Sequence, residues 1–255
     1  MAAPDPFVEP TDRRIRVRLR DHVIADTHDA LLLVEYGPRT LPTYFLPLAD
    51  VRPGVLVDEQ RTADGQRRWS VVAGHTRAEG AAWTHPTPTG PLAALADHVT
   101  FSWRALDWYE EDEQVFVHAR DTHKRVDALN SSRHVRVLVD GVELADSRRP
   151  VLLFETTLPT RYYLPFDDVR TDLFVASDLV TRCPYKGTAR YWSVSVDSTL
   201  VPDLAWSYPD PIPEIPKIKG LIAFFNERVD LIVDGVELPR PVTHWTDAPA
   251  GRDVD

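Results

Sequence analysis

The segment RHVRVLVDGVELADS at residues 133–147 has a close variant, RIRVRLRDHVIADT, at residues 14–27. In the later copy, apolar and polar residues alternate on both sides of Asp140-Gly141, which is the pattern of two strands joined by a tight turn. A third segment of this kind, RVDLIVDGVELPR, lies at residues 228–240. The segment therefore predicts a β-hairpin, and its recurrence predicts a chain built from repeated units.

The similarity extends well beyond the hairpin. Asp26 of the first copy and Asp146 of the second lie 120 residues apart, and later matched segments keep nearly the same spacing. Those segments are ALLLVEYGPRTLPTYFLPLADVR (30–52) with PVLLFETTLPTRYYLPFDDVR (150–170), RRWSVV (67–72) with RYWSVS (190–195), and AAWTHPTP (81–88) with LAWSYPDP (204–211). We therefore expect two homologous units, residues 12–129 and 130–245, between flexible tails at residues 1–11 and 246–255.

The predicted fold class is mainly β. Val-rich runs recur, and the 22 prolines limit the length of any helix. We expect two compact antiparallel β domains with about one short helix each, at residues 91–99 in the first and 211–225 in the second. A weaker hairpin pattern at residues 114–126 is expected to close the first unit. The two domains are expected to pack as a pseudo-twofold pair, like a dimer within one chain.

Composition and charge argue against several classes of partner. The formal net charge is −10, and no cluster of Lys and Arg offers the positive surface that nucleic acids or anionic membranes need. The single cysteine excludes an intrachain disulfide, and the histidines lack metal-ligand spacing, so we expect neither a metal nor a cofactor. No secretion signal and no long apolar run are visible, which favours a cytoplasmic monomer or dimer.

The second unit carries a set of motif residues that the first unit keeps only in part. In the second unit they are Glu155, Pro159, Tyr162, Tyr163, Pro165, Asp168, Val169, Cys183, Pro184, Tyr185, Lys186, Gly187, Trp206, Tyr208, Pro209 and Phe224. In the first unit they are Glu35, Pro42, Tyr44, Pro47, Asp50, Val51, Trp69, Trp83 and Pro86. On these residues the chain resembles a tandem member of the bacterial and fungal family called domain of unknown function 427.

The resemblance implies a β-rich domain without an agreed activity, although some members carry a nucleotidyltransferase-type label. The sequence does not support that chemistry. It has no glycine-rich phosphate loop, no Gly-Ser followed by paired aspartates on a strand, and no basic cradle for phosphates. The first unit departs from the family at the central motif, where RTADGQRR (61–68) stands in place of RCPYKGTAR (182–190).

The candidate catalytic residues are Lys186, Glu155 and Cys183. Lys186 lies in a tight turn, and Glu155 ends the apolar run VLLF, where a carboxylate needs a partner. A pair between them would be either a structural ion pair or the polar centre of a pocket. Cys183 could gain thiolate character from Lys186, or it could be a small buried side chain. In an enzyme, Lys186 would hold an anion or orient the substrate, Glu155 would set its charge, and Cys183 or a tyrosine would move protons.

The candidate ligand-binding residues are the aromatic side chains of Tyr162, Tyr185, Trp206 and Tyr208. Trp206 and Tyr208 share one face of a strand. Tyr162 and its neighbour Tyr163 face opposite ways, so only one of them can line a given pocket. Together with the lysine turn, these residues predict a small-molecule pocket in the second unit.

The first unit keeps Glu35 but has no lysine in a matching turn. Either Arg67 or Arg68 replaces the lysine, or Glu35 serves the structure alone. This asymmetry favours one competent site, in the second unit. Two functions remain open: a small-molecule enzyme or binder, and a non-catalytic structural or protein-interaction module in which the motif residues only lock the fold.

Overall fold

A computed structural model describes residues 5–37, 40–86, 88–243 and 245–246. This part of the chain forms two compact units that divide between Asp121 and Thr122. The sequence placed the division later, between residues 129 and 130. It comes earlier because Val126–Asn130 forms a strand that pairs with Val151–Glu155, inside the second unit.

In the first unit, the described residues form eleven strands. They are β1 (Phe7–Pro10), β2 (Ile15–Leu19), β3 (His22–Thr27), β4 (Leu31–Val34), β5 (Thr43–Pro47), β6 (Leu56–Arg61), β7 (Arg67–Ala73), β8 (Thr76–Trp83), β9 (His98–Phe101), β10 (Asp107–Glu110) and β11 (Glu113–Val115). One sheet has the order β1-β4-β5-β9-β8-β7-β6, and the other has the order β11-β10-β2-β3. Every pairing between these strands is antiparallel.

The described residues of the second unit repeat this arrangement strand by strand. The strands are β12 (Val126–Asn130), β13 (Val135–Val139), β14 (Val142–Ser147), β15 (Val151–Glu155), β16 (Arg161–Leu164), β17 (Phe174–Cys183), β18 (Gly187–Val196), β19 (Thr199–Ser207), β20 (Ile222–Phe224), β21 (Asp230–Val233) and β22 (Val236–Leu238). Their sheet orders are β12-β15-β16-β20-β19-β18-β17 and β14-β13-β21-β22. Strands β12 to β22 therefore take the places of β1 to β11, and the predicted duplication into two antiparallel β halves is confirmed.

The two sheets of each unit pack face to face. In β13, Val135, Val137 and Val139 are buried while Arg136 and Leu138 are only half-buried, because successive side chains of a strand point to opposite faces. The buried side chains meet residues of the larger sheet such as Leu164 in one apolar cluster. Each fully buried Val or Leu contributes about 1.5–3 kcal/mol relative to an exposed one, so this inner layer stabilises the packing of the two sheets.

The second unit has a further apolar layer on the outer face of its seven-stranded sheet. It contains Leu153, Tyr163 and Trp206, which project away from the inner layer. Apolar residues of the segment 212–221, including Ile215 and Ile218, pack over it. This outer face is where the candidate site lies.

Two segments differ from the sequence prediction. Phe7–Pro10, assigned to the flexible N-terminal tail, forms β1 because Leu31–Val34 offers a free edge with which it pairs over four residues. The pattern at residues 114–126 is not a hairpin. Only β11 pairs with β10, and Val126 already begins β12 of the second unit.

The short helical segments are all 3-10 in the described residues. The predicted helices correspond to Gly90–Leu95 in the first unit and Pro216–Ile218 in the second, each with a proline in its first turn. Three more 3-10 turns lie at Leu48–Asp50, Phe166–Asp168 and Thr171–Leu173. A proline lies within or directly before four of these five segments, and all of them serve as short connections between strands.

One motif that both units share, Asp-Val-Arg, ties the two sheets together. In the first unit, Thr27 Oγ1 donates to Asp50 Oδ2 at 2.6 Å, and the Arg52 amide donates to the Ile24 carbonyl at 2.8 Å. The second unit repeats both hydrogen bonds, from Ser147 to Asp168 (2.7 Å) and from Arg170 to Leu144 (2.8 Å). These shared residues therefore serve the fold, which separates them from the motif that only the second unit contains.

Candidate functional site

The Cys-Pro-Tyr-Lys-Gly motif forms the tip of the hairpin between β17 and β18. The Lys186 amide donates to the Cys183 carbonyl at 3.3 Å, which closes a turn with Pro184 in its second position. Gly187 follows with φ +103°, a conformation that favours glycine. A Cβ at Gly187 would also approach the Asp210 carbonyl oxygen at 3.3 Å. The motif thus builds a tip of defined geometry against the segment after β19.

The first unit lacks this tip. Its hairpin pairs Arg61 with Arg67, whereas the matched pair in the second unit is Val180 with Arg190. The chain takes six residues to go from Arg61 to Arg67 and ten to go from Val180 to Arg190, so the second hairpin is longer by four residues. Those extra residues carry the cysteine, tyrosine and lysine of the motif.

Glu155 ends β15 on the outer face, in phase with Val151 and Leu153. Its side chain is 5% exposed, so the carboxylate needs charged partners. Lys186 Nζ donates to Glu155 Oε2, and Lys124 Nζ lies 3.2 Å from Glu155 Oε1. We call these three residues the lysine–glutamate cluster. It joins the tip of one hairpin, the end of β15 and the segment that precedes β12.

Lys124 is a member of this cluster that the sequence reasoning missed. It lies two residues before β12, and its Nζ is 5.6 Å from the centre of the Tyr185 ring. Tyr185, a predicted ligand-binding residue, is therefore beside the cluster. The signal that could have found Lys124 is the assignment of residues 126–130 to a strand next to β15, which brings the preceding residues to the end of β15 at Glu155.

The charges of the cluster support one another. Burial raises the pKa of Glu155, but the ammonium groups of Lys186 and Lys124 outweigh it, so the net pKa of the carboxyl is lowered. Burial lowers the pKa of Lys186, but the negative charges that Cys183, Glu155 and Tyr163 can carry outweigh it, and the net pKa is raised. At neutral pH, Glu155 is therefore a carboxylate and Lys186 an ammonium.

Two buried tyrosines lie close to the cluster, Tyr163 near Lys186 and Tyr208 near Cys183 and Glu155. Burial raises the pKa of Tyr163 and of Tyr208, and Cys183 and Glu155 raise both further. Both phenols are therefore neutral at ordinary pH and can donate hydrogen bonds. Tyr208 was predicted from the sequence, whereas Tyr163 was not.

Tyr162 lies elsewhere. Its side chain belongs to the inner apolar layer, on the opposite face of β16 from Tyr163. The charged groups that affect its hydroxyl are Arg133 and Asp234 of the second unit, not the lysine–glutamate cluster. The sequence predicted that only one of the two tyrosines could line the pocket, and the structure places Tyr163 at the candidate site.

Cys183 is a free, half-buried cysteine at the end of β17. It is close enough to Lys186, Tyr163 and Tyr208 to affect the pKa of each. The structure therefore brings the three predicted catalytic residues, Lys186, Glu155 and Cys183, to one place.

Trp206 connects the site to a second buried ion pair. Its Nε1 donates to the Tyr163 hydroxyl at 3.2 Å, and its ring centre lies 5.7 Å from the Arg161 guanidinium. Arg161 makes two hydrogen bonds of 2.7 Å to Glu227, which is also buried. Trp206 thus packs between the two charged groups of the outer face, and its indole nitrogen is already used by Tyr163.

The first unit has no equivalent cluster in its described residues. Glu35 is half-buried and forms no ion pair there. Arg67 does not replace the lysine, since its guanidinium donates two hydrogen bonds of 3.0 Å to Glu59. Arg68 does not replace it either, since its guanidinium lies over the Trp83 ring at 5.5 Å.

Within the described ranges, no group of three or more His, Cys, Asp or Glu side chains is arranged to hold a metal ion. None of the helical segments in that part of the chain is long and apolar enough to cross a membrane. The groups that meet at the cluster are fixed charges, neutral phenols and one thiol.

Comparison with protein families gives two matches of one kind. The family described as domain of unknown function (DUF427) matches residues 7–112 and again residues 127–235. The two matched segments correspond to the two units: the first contains β1 to β10, and the second contains most of β12 and all of β13 to β21. A comparison with curated proteins finds no match.

Proposed function

The chain belongs to the DUF427 family as a tandem of two domains, and from this premise we propose that the second domain binds a small molecule at the lysine–glutamate cluster. The observation that carries the proposal is the difference between two domains of one topology. The first domain folds without the cluster, so the fold itself does not require it. A buried group of charges that the fold does not require is a candidate for a functional site.

The expected roles follow from the protonation states. Lys186 acts by its positive charge and not as a nucleophile, because its pKa is raised and the amine stays protonated. Glu155 holds the Lys186 ammonium in position through their ion pair. Tyr163 and Tyr208 donate hydrogen bonds to the ligand, and the ring of Tyr185 lies along one side of the ligand. Cys183 is the remaining group that can exchange a proton or react with a bound ligand.

A thermal-shift screen tests this proposal. The full chain and its Lys186→Met variant are screened against a panel of common metabolites, with Lys219→Met as the matched control. Lys219 is a suitable control because it is an exposed lysine of the same domain, paired with Asp210 at 3.0 Å. We expect at least one compound to raise Tm of the wild type and of Lys219→Met but not of Lys186→Met. A panel without such a compound would count against the proposal.

The alternative function, a structural module, is favoured by the direct contact between Lys186 and Glu155. In that case the pair only fastens the hairpin tip to β15. A triple variant, Lys186→Met and Lys124→Met with Glu155→Leu, distinguishes the two functions, since apolar residues of similar volume often replace a buried group of paired charges without loss of stability. A stable triple variant that has lost a compound bound by the wild type supports a site. A stable triple variant that binds every compound as the wild type does supports the structural module.

A further inference from the structure

Resting on the proposed function, we infer that the ligand carries an electrophilic carbonyl group, as an aldehyde does. The carbonyl oxygen accepts hydrogen bonds from the hydroxyl groups of Tyr163 and Tyr208, and the carbonyl carbon is attacked by the Cys183 thiol. The inference rests on the hydrogen-bonding state of the two phenols and on the position of Cys183 beside them.

The Tyr208 hydroxyl has no hydrogen-bond partner among the described residues, although Tyr208 is only 5% exposed. Burial raises its pKa, so the phenol stays neutral and keeps its hydrogen as a donor. A buried polar group without a partner destabilises a fold, and the great majority of such groups in native proteins are paired. An acceptor atom on a bound ligand would satisfy this hydroxyl group.

Tyr163 provides a second hydrogen for the same acceptor. It is 1% exposed, and its oxygen accepts a hydrogen bond of 3.2 Å from Trp206 Nε1. An indole nitrogen can only donate, so the hydrogen of the Tyr163 hydroxyl stays available, and no described residue accepts it. The ring centres of Tyr163 and Tyr208 lie 6.5 Å apart. Two neighbouring donors without acceptors are complementary to an oxygen with lone pairs, such as that of a carbonyl group.

The register of the sheet places Cys183 on the same face as Tyr208. Tyr208 follows the last residue of β19 and lies beside Ala189 of β18, which pairs with Thr181 of β17. Ala189 and Tyr208 belong to the outer apolar layer, and side chains two residues apart on a strand share a face, so Cys183 also points to the outer face. After burial, Cys183 raises the pKa of Tyr208 more than any other group does, in agreement with this arrangement.

These groups suit the addition of a thiol to an aldehyde. A bond forms between Cys183 Sγ and the carbonyl carbon, the C=O double bond becomes a single bond, and the thiol proton is transferred to the oxygen. The product is a thiohemiacetal, and the step needs neither an oxidant nor a leaving group. Negative charge develops on the oxygen during the attack, and the hydroxyl groups of Tyr163 and Tyr208 stabilise it with hydrogen bonds from a buried position.

The experiment is a carbon-13 NMR titration of the full chain with propionaldehyde labelled at the carbonyl carbon. Because Cys183 is the only cysteine of the chain, a thiohemiacetal resonance that is absent from Cys183→Ser belongs to this residue. The same variant identifies the resonances of adducts with amines. N-acetylcysteine gives the reference stability of the adduct of a free thiol. We expect the Cys183 adduct to be at least about tenfold more stable than this reference, since two buried hydrogen bonds stabilise its oxygen.

The principal variant is Tyr208→Phe, which removes one donor and keeps the ring. It should weaken the adduct about fivefold, as expected for the loss of one neutral hydrogen bond. Its Tm should not fall, because the wild-type hydroxyl has no partner among the described residues to lose. Tyr162→Phe is the matched control and should leave the adduct unchanged, because Tyr162 lies in the inner apolar layer.

The outcomes separate this inference from the function on which it rests. A Cys183 adduct no more stable than that of N-acetylcysteine would overturn the carbonyl ligand. So would an adduct that Tyr208→Phe leaves unchanged, or that Tyr208→Phe and Tyr162→Phe weaken equally. If no adduct forms but the metabolite screen yields a compound whose effect depends on Lys186, the inference fails and the proposed function stands. If neither experiment yields a compound that depends on this site, both fail.

Discussion

Replacing Lys186 with methionine removes one ammonium group from the lysine–glutamate cluster and keeps an unbranched side chain of similar length. In the wild type, Glu155 is 5% exposed and faces two lysines. In the variant, Glu155 keeps only Lys124, at 3.2 Å from its Oε1. The variant therefore measures how much Lys186 contributes to the stability of the second unit while Lys124 remains.

The expected loss is at the low end of the range for a broken buried ion pair. Removing one partner of such a pair costs about 3–5 kcal/mol when the other charge is left without compensation. At an effective dielectric constant of about 20, unit charges 3.2 Å apart still attract by about 5 kcal/mol, so Lys124 keeps Glu155 ionised. We therefore expect Lys186→Met to lower the free energy of unfolding of the second unit by about 3 kcal/mol. The exposed control Lys219→Met should lower it by less than about 1 kcal/mol.

The pH dependence follows from the directions of the two pKa shifts. The folded pKa of Glu155 is below its ordinary value of 4.5, so its stabilising contribution is present above pH 4.5 and is lost as the pH falls through the folded pKa. The folded pKa of Lys186 is above its ordinary value of 10.5, so its contribution is present below pH 10.5 and is lost as the pH rises through the folded pKa. The difference between wild type and Lys186→Met should therefore be constant between about pH 5 and pH 9. It should shrink in more acidic solution.

Native-state hydrogen exchange is the suitable assay, because it reports the second unit separately in a chain with two domains. The amides of β18 pair with both β17 and β19 and give the unfolding free energy at the hairpin that carries Lys186. A loss below about 1 kcal/mol in Lys186→Met would refute the reasoning, because the pair would then behave like an exposed ion pair. A difference that grows steadily from pH 5 to pH 9 would also refute it.

Three further sets of variants test other parts of the second unit by the same assay. Gly187→Ala should lower the free energy of unfolding by about 2 kcal/mol, since φ is +103° and the new methyl group meets backbone atoms. Gly220→Ala, with φ +69° and no atom within 4 Å of the new methyl group, should lower it by about 1 kcal/mol. Equal losses would contradict the close approach of backbone at the hairpin tip. Arg161→Met should lower the free energy of unfolding by about 4 kcal/mol, because it leaves the buried Glu227 carboxylate without a counter-charge and with only the hydrogen bond from Thr243 among its described side-chain contacts. Adding Glu227→Met should restore most of that loss, and no recovery would mean that packing and not charge dominates there. Asp168→Ala should lower the free energy of unfolding by about 1–2 kcal/mol, because it removes the hydrogen bonds of Asp168 to Ser147 of β14 and to Arg149 in the following turn. An unchanged stability would contradict the role of Asp168 in linking the two sheets.

The repeat and the strands could be predicted from the sequence because both depend on local patterns. Alternation of apolar and polar residues in segments such as 133–147 identifies strands, and the Asp-Gly pairs identify turns. The order of the strands in the sheets could not be predicted in this way. β12 lies beside β15 and β16 lies beside β20, and neither pairing has a sequence signal of its own.

The sequence identified residues of the candidate site only where a residue did not fit its local environment. Glu155 at the end of an apolar strand needed a positive partner, and the nearest lysine in a tight turn was Lys186. Lys124 showed no such mismatch, because its segment resembled a hairpin of the first unit. Alternation required Tyr162 and Tyr163 to face opposite sides, but it could not say which side would be the site.

The most direct test of the central claim is a crystal structure of the full chain grown with the compound that shows the strongest Lys186-dependent stabilisation. The account predicts electron density for that compound within hydrogen-bond distance of Lys186 Nζ, with the Tyr185 ring beside it and Glu155 still in contact with Lys186. Density for the compound at any other place, with the Lys186–Glu155 pair closed and unchanged, would contradict the account.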